Sequence, residues 1–228
     1  MSRSSRPARY PVMLDVSGRL AVVIGATRAA ERMAAAMASR GADVVVISPV
    51  VPPSLLEFEA SGALTIESRS YVRGDLAGAF IAVAASGSVE IDAAVRDEAQ
   101  AEGVLLSVLA DGDASDFTVP SVVRRGPLQV AVSTGGVAPA VARRVRREIS
   151  ASYGPEWGVY AALLGAVRTR AIELYGLDDA GLTPLFDAIA ASDLLERIGA
   201  DEDPSADDVL AAHLDALALP TDTDEEDL

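Results

Sequence analysis

The chain has 228 residues, enough for one large domain or two small ones; half of it is apolar and only 4% aromatic, so its core must be built mainly from Ala, Val, Leu and Ile. Its formal charge of −15 gives a surface that repels phosphate backbones and anionic lipid, so neither nucleic-acid nor membrane partners are expected. With no lysine, no cysteine and a single histidine, His213, the chain offers no disulfide framework, thiolate metal site, thiol nucleophile or multi-histidine centre, and no metal ligands are assigned.

Residues 1–9 read as an arm. Its arginines are followed by no apolar segment of the kind a secretory signal needs, and no run reaches the ~18 apolar residues of a spanning helix, so a cytoplasmic protein is expected. Tyr10 to Leu20 is a short lead-in with a Ser17-Gly18 turn. Residues 21–25, Ala-Val-Val-Ile-Gly, form a continuous apolar run, the mark of a strand buried on both faces. Helical spacing follows over 28–40 with Gly41 as its C-cap, and 43–48 repeats the buried-strand pattern before a proline-rich stop. A helix is expected over 53–61, an alternating strand over 63–68, a buried strand over 78–86, a helix over 88–102 and a fifth strand over 103–111. Strands alternating with helices imply right-handed crossovers and a parallel doubly wound sheet, an α/β Rossmann-like domain over 1–116.

The pattern changes at Asp116. Residues 116–136 hold two β-rich runs joined by Arg124-Arg125-Gly126-Pro127 with no helix between them, which reads as antiparallel. A two-stranded ribbon is marginal alone, so its apolar face needs a partner, and a homodimer is expected through 117–152. The helix expected over 137–150 carries Arg143, Arg144, Arg146 and Arg147. Beyond Tyr153-Gly154-Pro155, a helical domain over 153–219 is expected, with helices at 155–175, 183–198 and 205–218. Residues 220–228 form an acidic tail, expected to be disordered.

Three stretches carry chemistry. The turn after the first strand reads Gly25-Ala26-Thr27-Arg28-Ala29. A dinucleotide fingerprint uses three glycines: for the tight turn, for close approach to the pyrophosphate, and for helix–strand packing. Here the first remains. The free N–H groups at the helix start suit a phosphate, Thr27 adds a hydroxyl and Arg28 a charge. An ordinary βα turn has the same outline, and the second strand ends at Ser48 rather than at the acid that often takes a ribose hydroxyl. The second stretch is Ser133-Thr134-Gly135-Gly136 with the arginine-bearing helix behind it. Hydroxyls, free amides and positive charge there suit a carboxylate-bearing ligand; the alternative is a solvated helix face paired to local acids. The third, after the fifth strand, holds Asp111, Asp113 and Asp116, which are either acid–base groups at the ligand-binding edge of the sheet or turn formers. His213 reads as a surface or packing residue.

The order of these stretches, above all Phe117-Thr118-Val119-Pro120-Ser121 and the run from Arg125-Gly126-Pro127-Leu128 through Ser133-Thr134-Gly135-Gly136-Val137-Ala138-Pro139, resembles the precorrin-2 dehydrogenase family, the siroheme-synthase N-terminal module that includes bifunctional dehydrogenase/ferrochelatases. The resemblance covers about residues 10–150. It implies a Rossmann domain, a β segment that makes a homodimer, and a helical domain closing over a tetrapyrrole. It implies NAD as cofactor, oxidation of precorrin-2 to sirohydrochlorin and, in some members, insertion of ferrous iron. The cofactor would lie at Gly25, Ala26, Thr27, Arg28 and Ala29, with Ser48, Pro49, Val50, Ala85 and Ser86 around it. The substrate would meet Ser133, Thr134, Gly135, Gly136 and Arg143.

The chain departs from the family pattern in three places. Two glycines of the turn and a following lysine are replaced, leaving Ala26, Thr27 and Met33. A methyl at Ala26 costs about 1–3 kcal/mol of binding if the backbone there touches the pyrophosphate. The aspartate after Ala-Ala-Thr becomes Gly87, following Ser86. The aspartate credited with catalysis is Ala110, so Asp111 is the nearest carboxylate and the expected acid or base. Losing such a group costs ~10²- to 10⁴-fold in rate. Three readings follow: a dehydrogenase using Asp111, a chelatase without dehydrogenase activity, or a binder that holds tetrapyrrole or regulates a haem-pathway partner.

Overall fold

The structure is a computed structural model and describes residues 9–217. Most of the expected arm and the acidic tail fall outside the described residues. The chain divides into two compact units, the first ending at Val119 and the second beginning at Pro120.

The first unit is a five-stranded parallel sheet with flanking helices. Its elements are β1 (Leu20–Ile24), α1 (Arg28–Ala38), β2 (Asp43–Ile47), α2 (Pro53–Ala60), β3 (Thr65–Glu67), β4 (Ile81–Ala84), α3 (Val89–Glu102) and β5 (Leu105–Val108). The strand order is β3-β2-β1-β4-β5, and every pairing is parallel. Period-two alternation of the strand side chains divides the core. Ala21 and Val23 of β1 join a cluster with Ala30, Ala34 and Met37 of α1, whereas Val22 and Ile24 join one with Val95 and Ala99 of α3. A strand that is apolar at every position is thus buried on both faces, as a doubly wound sheet requires.

Strand and helix ends are shorter than the sequence pattern implies. Helix α1 stops at Ala38 with Ser39 as its cap, and the left-handed turn falls two residues later at Gly41, φ 77°. Strand β5 ends at Val108 because the chain turns there, the Asp111 amide donating to the Val108 carbonyl at 3.2 Å. The outer edge of β5 is occupied. The Asp116 amide donates to the Leu106 carbonyl (2.8 Å), the Leu106 amide to the Asp116 carboxylate (2.9 Å), and the Val108 amide to the Ser115 hydroxyl (2.8 Å).

The second unit opens with an antiparallel pair, β6 (Ser121–Arg125) and β7 (Leu128–Val132), joined by Gly126-Pro127, with Arg125 opposite Leu128. Five α-helices follow among the described residues: α4 (Pro139–Ser152), α5 (Glu156–Tyr175), α6 (Asp179–Ala190), α7 (Leu194–Gly199) and α8 (Ala206–Ala212). Their core gathers Val167 and Ala171 of α5, Leu182, Leu185 and Ile189 of α6, Leu194 and Ile198 of α7, and Val209 and Leu210 of α8. The single helix expected over 183–198 is two helices. Ser192 breaks it: its hydroxyl donates to the Ile189 carbonyl (2.7 Å) and accepts from the Leu194 amide (3.3 Å). Helix α6 also starts earlier than expected, capped by Asp178, with Pro184 inside it. The last expected helix ends at Ala212 and gives way to a 3-10 turn over Leu214–Ala216. Asp201 is the only described non-glycine residue with a left-handed φ, 64°, in the turn after α7.

Candidate functional site

The chain leaves β1 toward β2 and β3, then returns to β4 on the other side of β1. Strand order therefore reverses between β1 and β4, and a crevice forms outside their carboxyl ends, where open α/β sheets bind ligands. A cleft of about 300 Å³ occupies that place. It is lined by Gly25, Ala26 and Thr27 after β1, by Ser48, Pro49 and Val50 after β2, and by Ala85 and Ser86 after β4. Eight of the ten residues expected around the cofactor thus share one cleft. The other two, Arg28 and Ala29, form the start of α1 directly behind Thr27.

Gly25 makes the tight turn, with φ 95°. A β-carbon there would stand 2.2 Å from the Ala85 carbonyl oxygen and 2.8 Å from the Ser86 amide nitrogen, so only glycine fits. Ala26 is half-buried and packs against the core cluster on the α1 side of the sheet, so its methyl forms part of the cleft wall. Thr27 caps α1, its hydroxyl accepting from the Ala30 amide at 3.3 Å. The first amides of a helix have no intrahelical acceptor, so this end of α1 suits a phosphate. The donor set fits a dinucleotide: a glycine-only turn, an open helix N-terminus and a crevice at the reversal of strand order.

The hydroxyls in the cleft are already engaged. Ser48 is buried and donates to the Val50 carbonyl at 2.7 Å. Ser86 donates to the buried Asp92 carboxylate of α3 at 2.6 Å, and the Ser86 amide donates to the same oxygen at 3.1 Å. Ser70 and Tyr71 also line it. The Tyr71 hydroxyl donates to Glu98, a buried carboxylate that also accepts from the Leu76 amide (2.9 Å) and the Gly74 amide (3.1 Å). Burial pushes the Glu98 carboxyl up, but these hydrogen bonds together hold it below its ordinary value. Burial and the adjoining Glu98 push the Tyr71 phenol up. Nearby, Arg69 clasps Asp75 and Glu67, and its guanidinium holds the Asp75 carboxyl below the ordinary range. Sequence reasoning missed Tyr71, Ser70 and Asp92. The one available signal was an acid in the first turn of the helix that follows Ser86.

Asp111 lies beyond the end of β5, exposed and outside the cleft lining. Its carboxylate accepts from the Asp113 amide at 2.8 Å and caps the short 3-10 turn Gly112–Ala114. Asp116 is exposed, and one of its carboxylate oxygens accepts from the Leu106 amide at the edge of β5.

Ser133, Thr134, Gly135 and Gly136 lie in the second unit, in the turn from β7 to α4. Ser133 accepts from the Gly135 amide (3.1 Å) and Thr134 from the Ala138 amide (3.2 Å), while Gly135 and Gly136 take φ of 62° and 85°. The helix that follows has no side-chain cap. Arg143 is exposed in its second turn, and Arg144 pairs with Glu148 at 2.8 Å. On the same helix Val141 is exposed, with Val145 and Ile149 half-buried at the next two steps of four residues. Among the described residues no group of three or more His, Cys, Asp or Glu side chains is arranged to hold a metal ion, and no helix is long and apolar enough to cross a membrane.

Residues 12–121 match the family model described as putative NAD(P)-binding, and residues 125–152 the one described as sirohaem biosynthesis protein central. Siroheme synthase 1 of Aeromonas salmonicida is 32% identical over 160 residues, 70% of this chain and 34% of that one. Siroheme synthase 3 of Aeromonas hydrophila is 29% identical over 215 residues, 88% of this chain and 46% of that one. The chain therefore spans a third to a half of the length of these relatives. The solved structure of SirC, precorrin-2 dehydrogenase, superposes with a TM-score of 0.74 at 23% identity, covering 91% of this chain and 100% of that one, and has the same fold. On the two family models and the curated relatives, the chain belongs to the siroheme synthase family.

Proposed function

We propose that the protein acts in siroheme biosynthesis as an NAD-dependent oxidoreductase that converts precorrin-2 to sirohydrochlorin. The observation that carries this reading is the cleft at the strand-order reversal, where Gly25 meets Ala85 beside the open N-terminus of α1. NAD, when bound, supplies the hydride acceptor. Gly25 lets the backbone turn under the cofactor, the amides of Thr27, Arg28 and Ala29 hold the pyrophosphate, and Ser48, Pro49, Val50, Ala85 and Ser86 enclose the nucleosides. Asp111 takes the proton that leaves precorrin-2. Ser133, Thr134, Gly135, Gly136 and Arg143 hold substrate carboxylates through hydroxyls, amides and a guanidinium. The protein works as a homodimer through 117–152, whose helix α4 exposes Val141 just after the exposed Val137.

A second reading is favoured by the use of the Asp111 carboxylate as a turn cap beside Ala110. In that reading the protein binds a tetrapyrrole, or inserts iron into one, without oxidising it. Titration with NAD followed by turnover of precorrin-2 separates the two. Saturable NAD binding with NADH release on adding precorrin-2 supports the oxidoreductase. Binding of sirohydrochlorin with neither NAD binding nor NADH release overturns it in favour of the second reading.

A further inference from the structure

Ser86 ends the wall of the cleft after β4, and its hydrogen-bonding capacity can be counted. A hydroxyl has one proton and two lone pairs. The proton is directed at the Asp92 carboxylate, 2.6 Å away, because a short bond to a charged acceptor outcompetes the 3.1 Å contact with the Ser88 carbonyl. One lone pair accepts from the Ser88 amide at 3.1 Å. A single lone pair is left. Asp92 also fixes the Ser86 backbone, since the same carboxylate oxygen accepts from the Ser86 amide at 3.1 Å. Asp92 is only 8% exposed, in the first turn of α3, so helix and carboxylate pin the residue from behind.

We infer that Ser86 is a specificity residue that accepts a hydrogen bond from the ligand, held in that role by Asp92 as a positioning residue. It cannot serve a phosphate, which at neutral pH needs a donor. It selects a ligand group carrying its own proton: a ribose hydroxyl or a carboxamide N–H on the nucleoside that crosses from the α1 terminus toward β4. The inference rests on the nucleotide reading above and adds which half of the ligand each wall of the cleft reads.

Calorimetric titration of NAD, ADP-ribose and ADP into wild type, Ser86→Ala, Ser86→Thr, Asp92→Asn and Asp92→Ala tests it. ADP lacks both the distal ribose and the carboxamide, so it reports only the adenosine and phosphate contacts. Ser86→Ala is expected to weaken NAD by roughly three- to tenfold, the loss of one hydrogen bond, and to leave ADP unchanged. ADP-ribose then identifies the donor: weakened alongside NAD, it is a ribose hydroxyl; unchanged, the carboxamide. Ser86→Thr keeps the hydroxyl and Asp92→Asn keeps an accepting oxygen, so both are expected to stay near wild type, whereas Asp92→Ala follows Ser86→Ala. A general loss of structure would weaken all three ligands together, and that result, like unchanged NAD affinity in Ser86→Ala, overturns the inference. If wild type binds none of the three, the nucleotide reading itself fails; if it binds them without the predicted split, only the role of Ser86 fails.

Discussion

Gly25 and Ala85 stand at the ends of adjacent strands, so close that a β-carbon on Gly25 would penetrate to 2.2 Å from the Ala85 carbonyl oxygen. The clash is with backbone, which cannot swing aside, and the φ of 95° is itself strained for any L side chain. Gly25→Ala is therefore expected to lower stability by about 2–4 kcal/mol, read from urea unfolding, and to abolish saturable NAD binding in whatever protein remains folded. A variant with wild-type stability would show that the two strand ends are not in contact.

Asp111 is exposed, so its carboxylate can be neutralised without disturbing the core. Asp111→Asn keeps an oxygen for the Asp113 amide. It is expected to retain tetrapyrrole binding and to slow NADH formation by ~10²-fold or more if Asp111 takes the proton. Equal rates for wild type and variant would remove it from the chemistry.

Glu98 couples the stability of the first unit to pH. Its carboxyl lies below the ordinary value of 4.5 in the folded chain, so its contribution is complete above that pH and is lost as pH falls through the lower folded value. The melting temperature of wild type is expected to drop more steeply below pH 4.5 than that of Glu98→Gln, which has no such proton to take up. Glu98→Ala leaves the Leu76 and Gly74 amides without an acceptor and the Tyr71 hydroxyl with only the Ala94 carbonyl at 3.4 Å, and is expected to cost about 2–4 kcal/mol at neutral pH. Parallel pH profiles for wild type and Glu98→Gln would contradict the assignment.

Val141 is 52% exposed on α4, in line with Val145 and Ile149. If that stripe packs on a second copy, a charge in its middle is buried without a partner. Val141→Glu is expected to convert a dimer at micromolar concentration to a monomer by light scattering, with the helical signal retained. A dimer of unchanged stability would place the interface elsewhere.

The sheet was legible because its strands, Ala21–Ile24 and Ile81–Ala84 among them, are apolar at every position, which a doubly wound sheet demands. The cleft residues followed from the turn chemistry at Gly25 and the ends of β2 and β4. Long-range hydrogen bonds were not legible. Nothing local announces that Tyr71 meets Glu98 across 27 residues or that Asp116 belongs to the edge of β5, and for Asp92 holding Ser86 the only hint is an acid in the first turn of α3. The packing of the Ala26 methyl against the core cluster is a tertiary contact that a fingerprint of glycines does not encode. The helical unit was mistaken at Ser192, where a hydroxyl competing for backbone groups splits one apolar run into two helices.

The side chains along β5 set a boundary on the sheet. Outward-facing backbone groups at the rim of a sheet invite a foreign strand to add on, the first step of domain swapping and fibril growth. At Leu106 and Val108 those groups are taken by Asp116 and Ser115 of the same chain, in part through side-chain oxygens that carry no further ladder of their own. The sheet is terminated from within, and another molecule approaching β5 meets a closed hem instead of a template.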